Sequence, residues 1–340
     1  MGTTRFHGFY LRFAVPLIFT AFRSLVLGLP LGLCSPVVHS QAAYPSKPVK
    51  LVLITPPGGG ADSIGRIVAE RLGSAMGQLV LPENRAGAGG NIASQYVAQA
   101  PADGYTLLLT ANNHNVNPRI YKNAGYDPRR DFVPVVLLTQ GPCVLATQPT
   151  SQFRTLGEVV EAAKARPQYI AFGSGGIGQP VHIATELFMA ASHIQLLHIP
   201  YKGAGPALQD ALGGQIPLVM SSLSGALPHI AAGKLRALGV TGDVRWHALP
   251  EVPTMAELGY PKATYWVWLG ILAPVGTPSA IVERLNREIN LALGDPTIRD
   301  RILALGTAPV GGSPAAFGKK LQADYEAVEE LVARTGMKAE

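Results

Sequence analysis

The chain has 340 residues, 47% of them hydrophobic, 15% charged and 7% aromatic. This composition excludes intrinsic disorder, and at roughly 150 residues per domain the length points to two domains. The formal charge of +6 comes without a Lys/Arg run interleaved with aromatics, which argues against nucleic acid as a partner, and two cysteines exclude a disulfide scaffold or a Cys-rich zinc site.

Residues 1–42 carry Arg5, Arg12 and Arg23 and no acid, with apolar runs from Phe13 to Phe22 and from Leu25 to Leu33. A small-residue exit follows at Ser40-Gln41-Ala42. This is the pattern of a secretory signal peptide cleaved near Ser40 to Ala42. Arg23, Gly28, Pro30 and Gly32 interrupt the apolar stretch and argue against a membrane span. Without this segment 298 residues remain, the charge falls from +6 to +3, and Cys143 stands alone. An exported monomer is expected.

From Val49 strands alternate with helices. Val49 to Thr55 is a nearly continuous apolar run, the mark of a strand covered on both faces. A helix follows with Ile64, Ile67, Val68 and Leu72 on one face. Leu79–Leu81 and Tyr105–Thr110 read as strands, with a helix from Asn91 between them. Phe132–Leu138 and Val144–Thr147 read as two further strands. Thr155 and Glu158 form a capping box that starts a helix. Tyr169–Phe172, Leu196–Ile199, Ile216–Met220, Leu235–Thr241 and Trp266–Ala273 read as strands, the last with Trp266 and Trp268 as packing residues. Pro278 and Pro314 are each placed at the first position of a helix. The alternation implies largely parallel sheets flanked by helices. The chain is expected to cross between lobes near Pro142–Thr147 and Trp266–Ala273. Lobe 1 is then residues 43–141 with 265–340, and lobe 2 is residues 142–264.

Three glycine-rich turns each follow a strand and open a helix: Pro57–Asp62, Arg85–Asn91 and Gly173–Gln179. Glycine lets the backbone approach a ligand closely, and the helix start offers N–H groups and a partial positive charge. Such turns hold carboxylate or phosphate without a charged side chain. A single turn of this kind is more often structural; three in a two-lobed exported chain favour an anion site. Asp62 reads first as a cap on its helix, Arg85 as a loop brace or a carboxylate clamp. His182 either faces a ligand or bonds within its helix start. Tyr201 and Lys202 end a strand at the expected cleft.

Enzyme motifs fare poorly. Gly173–Gly178 satisfies G-x-G-x-x-G, but no acid ends the following strand at Gln195–Pro200, so a dinucleotide site is disfavoured. The Walker sequence is absent, and Phe172 spoils a G-x-S-x-G elbow at Ser174. His114, His182, His193, His198, His229 and His247 form no zinc motif. No catalytic residue, metal or cofactor is assigned.

Several ordered blocks are distinctive. They are Tyr44–Pro48, Thr55–Asp62, Glu83–Gly90, Tyr126–Pro128 with Asp131-Phe132, Ile199–Gly203, Gly213–Gln215, Leu249–Thr254 and Ala273-Pro274. In these the sequence resembles the Bug receptors, the TctC-like substrate-binding proteins of tripartite tricarboxylate transport systems, from Tyr44 nearly to the C-terminus. The resemblance implies an α/β, two-lobed periplasmic-binding-protein fold of type II-like form, each lobe a mostly parallel sheet, with a ligand cleft between. It implies a periplasmic receptor for a small organic carboxylate: a dicarboxylate, a tricarboxylate, an acidic amino acid or an aromatic acid. It also implies small and large membrane subunits as partners. The expected ligand-binding residues are Pro57, Gly58, Gly59, Ala61, Asp62, Ala88, Gly89, Gly90 and Asn91 from one lobe. From the other they are Ser174, Gly176, Gln179, His182, Tyr201, Ser221 and Ser222. An exported hydrolase using the same loops as an oxyanion site, and a sensory receptor for a signalling partner, are the alternatives.

Overall fold

A computed structural model of the chain describes residue 2, residues 44–58 and residues 60–338. The expected signal peptide and Gly59 lie outside the described residues, apart from residue 2. β1 (Val49–Leu53) buries four of its five residues. α1 (Gly60–Met76) follows, with Ile64, Ile67, Val68 and Leu72 all buried, as their helical spacing predicts. β2 (Val80–Asn84), α2 (Asn91–Ala98), β3 (Thr106–Ala111) and α3 (Asn113–Ile120) continue the alternation. β1 lies between β2 and β3 and parallel to both, with Val52 level with Glu83 and Leu108. The turns leaving these three strands therefore stand side by side at their carboxyl ends, where open α/β sheets bind ligands.

The expected break between two strands near Pro142 is absent. β4 runs unbroken from Phe132 to Thr147. Its first part pairs antiparallel with β9 (Trp266–Pro274), as far as Pro142 opposite Trp266. Its last part pairs with β7 (Leu218–Ser222) and β8 (Arg236–Val240). Proline lacks an N–H and is tolerated in a strand where the ladder is interrupted; Pro142 stands where β4 exchanges one set of partners for another. Two register shifts, between Pro134 and Val136 and between Leu137 and Thr139, bend the strand before that point.

The sheet order is β2-β1-β3-β9-β4-β7-β5-β6, with β5 at Ala171–Ser174 and β6 at Leu197–Pro200. β8 and β10 (Ala308–Pro309) also pair with β4. The sheet is mixed rather than wholly parallel, because β9 runs against β3 and β4 against β9. On the β1 side the core gathers Leu51, Leu53, Leu107, Leu109, Leu285 and Phe317; on the β5 side, Phe153, Phe172, Phe188 and Leu218. Trp268 is fully buried, with its ring edge-on to Phe317 at 5.5 Å.

The helix starts follow their caps. In α4 (Leu156–Ala165) both bonds of the Thr155/Glu158 capping box form. Pro314 takes the first position of α10 (Pro314–Thr335), where Ser313 Oγ accepts the Ala316 N–H at 3.1 Å. Pro278 stands one place earlier than expected, as the cap of α8 (Ser279–Gly294). α5 (Pro180–Ser192) starts where expected. α6 (Ala204–Leu212), α7 (Leu223–Ala231), α9 (Pro296–Ala304) and α3 were not anticipated. α3 has four asparagine or proline positions in eight residues and no apolar stripe to betray it.

Candidate functional site

The first glycine turn is braced from within. Asp62, 4% exposed, accepts the Gly58 N–H at 3.0 Å through Oδ2. Arg66 Nε reaches the same oxygen at 3.0 Å, and Asn84 Nδ2 donates to Oδ1 at 2.9 Å. Burial alone raises the Asp62 carboxyl, but the bonds from Arg66, Gly58 and Asn84 outweigh it and bring it down to about 2. Asp62 is therefore an ionised brace for the turn, in line with its reading as a local cap. Asn84 also donates to the Thr55 carbonyl at 2.9 Å, tying the end of β2 to the end of β1. Pro57 and Gly58 are exposed at the tip, and Ala61 lies in the first turn of α1.

The second turn is a run of positive φ angles: Gly87 at 130°, Ala88 at 46°, Gly89 at 66° and Gly90 at 100°. Two of its amides are engaged within the turn: the Gly90 N–H donates to the Gly87 carbonyl at 2.9 Å and the Asn91 N–H to the Ala88 carbonyl. A methyl on Gly90 would stand 3.1 Å from both Asn113 Nδ2 and Ile54 Cβ, a tight fit at a φ of 100° that side chains rarely adopt. The Gly89 carbonyl is held toward α3 by two carboxamides: Asn117 Nδ2 donates to it at 2.9 Å, and Asn113 Nδ2 donates as well. Asn117 Nδ2 also reaches Asn91 Oδ1 at 2.7 Å, and Asn91 is buried. Arg85 braces its own loop, with Nε 2.5 Å from Glu83 Oε1 and the guanidinium 3.5 Å over the Tyr96 ring. Asn113 and Asn117 were not among the expected site residues. Their signal was available: four asparagines within six positions, Asn112 to Asn117, directly after a buried strand.

The third turn is organised by two histidines. Ser174 Oγ lies 2.6 Å from His198 Nε2 and accepts the Gly176 N–H at 3.1 Å. His182 Nδ1 accepts the Gly178 N–H at 3.2 Å, and its Nε2 lies 3.4 Å from Glu186 Oε1. The two imidazoles stack at 4.0 Å, and Phe172 stacks on His198 at 4.8 Å. Burial, with the neighbouring His182, lowers His198 to about 3, so it is neutral near pH 7. Of the two readings of His182, the structure realises bonding at the helix start. Gln179 caps α5, and its N–H donates to the Gly176 carbonyl at 3.3 Å. The Tyr201 hydroxyl donates to Asp210 Oδ2 at 2.7 Å; that bond, with burial, raises it to about 12. His198 was missed because a lone histidine in a short strand carries no sequence signal.

Ser221 and Ser222 end β7, and α7 begins at Leu223. Ser221 Oγ donates to the Ser222 carbonyl at 3.0 Å and Ser224 Oγ to Ser222 Oγ at 3.1 Å. A methyl on Gly60 would stand 3.2 Å from Ser224 Oγ. The start of α1 thus meets the start of α7 across the two halves of the sheet. Both ends carry partial positive charge and N–H groups outside the helical ladder, an arrangement that attracts an anion. Among the described residues no three His, Cys, Asp or Glu side chains gather to hold a metal. A surface cavity of about 420 Å³ lies elsewhere, between α1 and α9, lined by Arg66, Ile67 and Arg301.

Comparison with known proteins places this geometry. Residues 64–337 match the family described as the tripartite tricarboxylate transporter family receptor. Protein BugT of Bordetella pertussis is 37% identical over 309 residues, covering 90% of this chain and 94% of BugT. A Rhodopseudomonas palustris protein, Rpa4515, solved with adipate, superposes with a TM-score of 0.81 at 33% identity, covering 87% of this chain and 99% of its own. MatC of the same organism, solved with bound malate, superposes with a TM-score of 0.78 at 28% identity, covering 85% of this chain and 100% of its own.

Proposed function

Since the chain belongs to the tripartite tricarboxylate transporter family of receptors, we propose that it captures a small organic carboxylate between two lobes for uptake. It is a periplasmic solute-binding receptor and not an enzyme, which overturns the hydrolase alternative. Ser174 and His198 brace a turn; Ser174 is fully buried.

The single observation that carries the reading is the glycine turn at Gly87–Gly90, its Gly89 carbonyl drawn back by Asn113 and Asn117. One carboxylate of the ligand sits at the Ala88 and Gly89 amides of this turn and at the start of α1, on the lobe formed by residues 43–141 and 265–340. The starts of α5 and α7 approach from residues 142–264 and close over it. Contacts made only in the closed form shift the population toward it. The relatives solved with adipate and malate favour a dicarboxylate of four to six carbons. Small and large membrane subunits receive the loaded receptor.

The test is a thermal-shift and calorimetric screen of the purified exported protein against adipate, malate, citrate, acidic amino acids and aromatic acids. A ligand present at about one hundred times its Kd adds about 2.7 kcal/mol of stability. Stabilisation by at least one acid is expected. Indifference to all of them, in well-folded protein, overturns the reading.

A further inference from the structure

Five buried side chains form an apolar cluster of their own: Val116 and Ile120 from α3, Ile183 from α5, Leu331 from α10 and Met337 just beyond it. α3 packs against β3, and α10 against α3, α8 and β4, while α5 covers β7. The cluster therefore spans the two lobes. It is also continuous with the third glycine turn. Ile177 packs against it, and a methyl on Gly178 would overlap Ile120 Cδ1.

We propose that this cluster is an apolar clasp that sets the closing equilibrium, so that Ile120 and Ile183 govern ligand affinity without touching the ligand. The proposal rests on the reading above, that two lobes close around a carboxylate. Parting the lobes at this seam exposes apolar surface to water, which is unfavourable whether or not ligand is present. The empty receptor then populates the closed form appreciably. Apparent affinity scales with the fraction of molecules competent to hold ligand, so loosening the clasp weakens binding from a distance. The end of α10 acts as a strap: it is anchored on the first lobe by Phe317 and carries Leu331 across to the second lobe's Ile183.

The test combines small-angle scattering of the ligand-free exported protein with calorimetric titration of adipate and malate. Ile183→Ala and the rim variant Met337→Ser are expected to enlarge the empty protein, to restore contraction on adding a bound acid, and to weaken that acid roughly tenfold for Ile183→Ala. Gly178→Ala is expected to block closure, and Gly178→Ala with Ile120→Ala to recover part of the affinity by making room for the methyl. Should Ile120→Ala fail to fold, Met337→Ser still decides. Ligand-free dimensions equal to the parent in both Ile183→Ala and Met337→Ser overturn the clasp. If neither acid binds, the carboxylate reading loses its support, while the ligand-free scattering still decides the clasp.

Discussion

The carboxamide oxygen of Asn112 accepts the backbone N–H of Trp268 at 3.0 Å, joining positions 156 apart in the chain. Its Nδ2 donates to the Trp266 carbonyl, also at 3.0 Å. One side chain thus holds the crossing strand β9 at two points. It immediately precedes α3, whose Asn113 and Asn117 hold the second glycine turn. Asn112→Asp keeps the acceptor, loses the donor and places a charge at a position only 7% exposed. A buried group stripped of its partner costs about 1–3 kcal/mol, more when charged. The Asp variant is expected to unfold at distinctly lower urea than the parent, with Asn112→Ala between them. Coincident urea midpoints for all three proteins would show that the clamp contributes nothing.

Asp62 yields a prediction with a defined pH window. Its carboxyl titrates at about 2, below its ordinary value of 3.8. The unfolded chain therefore binds the proton first as pH falls, and the stability that Asp62 contributes, present above about pH 4, is lost as pH drops through about 2. Asp62→Asn is expected to remove about 1–3 kcal/mol near neutral pH, since bonds to an ionised group are the stronger kind. It should also weaken carboxylate binding, because one of the two oxygens that hold Gly58, Arg66 and Asn84 becomes a donor and the turn loses part of its brace. A double-mutant cycle with Arg66→Gln, read by urea unfolding, checks the coupling; strictly additive losses would deny that the pair acts as a unit.

Two histidines, His114 buried and His198 half-buried, make stability depend on pH in a second window. His114, between Tyr126 at 5.1 Å and Phe132 at 4.8 Å, is lowered to about 3 by burial. His198 is lowered to about 3 by burial and by His182. Between about pH 3 and the ordinary histidine value of 6.5 the unfolded chain binds protons that the folded chain refuses. Stability must therefore rise with pH across that window and fade as pH drops below 6.5. For the fully buried His114 the slope approaches about 1.4 kcal/mol per pH unit. His114→Phe keeps the aromatic packing and removes the titrating group. Unfolding free energies from pH 4 to 7 should flatten in this variant, and an unchanged slope would place the proton uptake elsewhere.

Strands and long helices were legible because their apolar periodicity is local. Val49 to Leu53 and the Ile64-to-Leu72 face of α1 carry it directly, and Thr155 with Glu158 carries a cap. The glycine turns were legible as turns, but not which side chains complete them. Asn117 reaches Asn91 across 26 positions, and Ser174 meets His198 across 24. Such pairs depend on strand order, which single-strand patterns do not encode. The unbroken β4 was missed for a related reason. Gly141 and Pro142 look like a break when read locally, yet strand partners on either side carry the ladder through. Tyr201 ends a strand at the expected cleft, and its hydroxyl is engaged by Asp210 on the next helix, a pairing the strand pattern does not encode.

The strictest test of the backbone-amide site lies at Gly90. Its φ of 100° is strained for any other residue, and an added methyl would press on Asn113 Nδ2 and Ile54 Cβ at 3.1 Å. Gly90→Ala is expected to cost about 1–3 kcal/mol and to disturb the bond from the Gly90 N–H to the Gly87 carbonyl that closes the turn. Gly77→Ala supplies the comparison, because Gly77 has a φ of 65° but open space around its Cβ position, and it ends α1 far along the helix from the glycine turn. Both variants lose backbone freedom, yet only Gly90→Ala should also lose affinity for whichever acid stabilises the parent. Calorimetric titration of the two variants separates these effects. Equal affinities in Gly90→Ala and Gly77→Ala would mean that the carboxylate is held by something other than this turn.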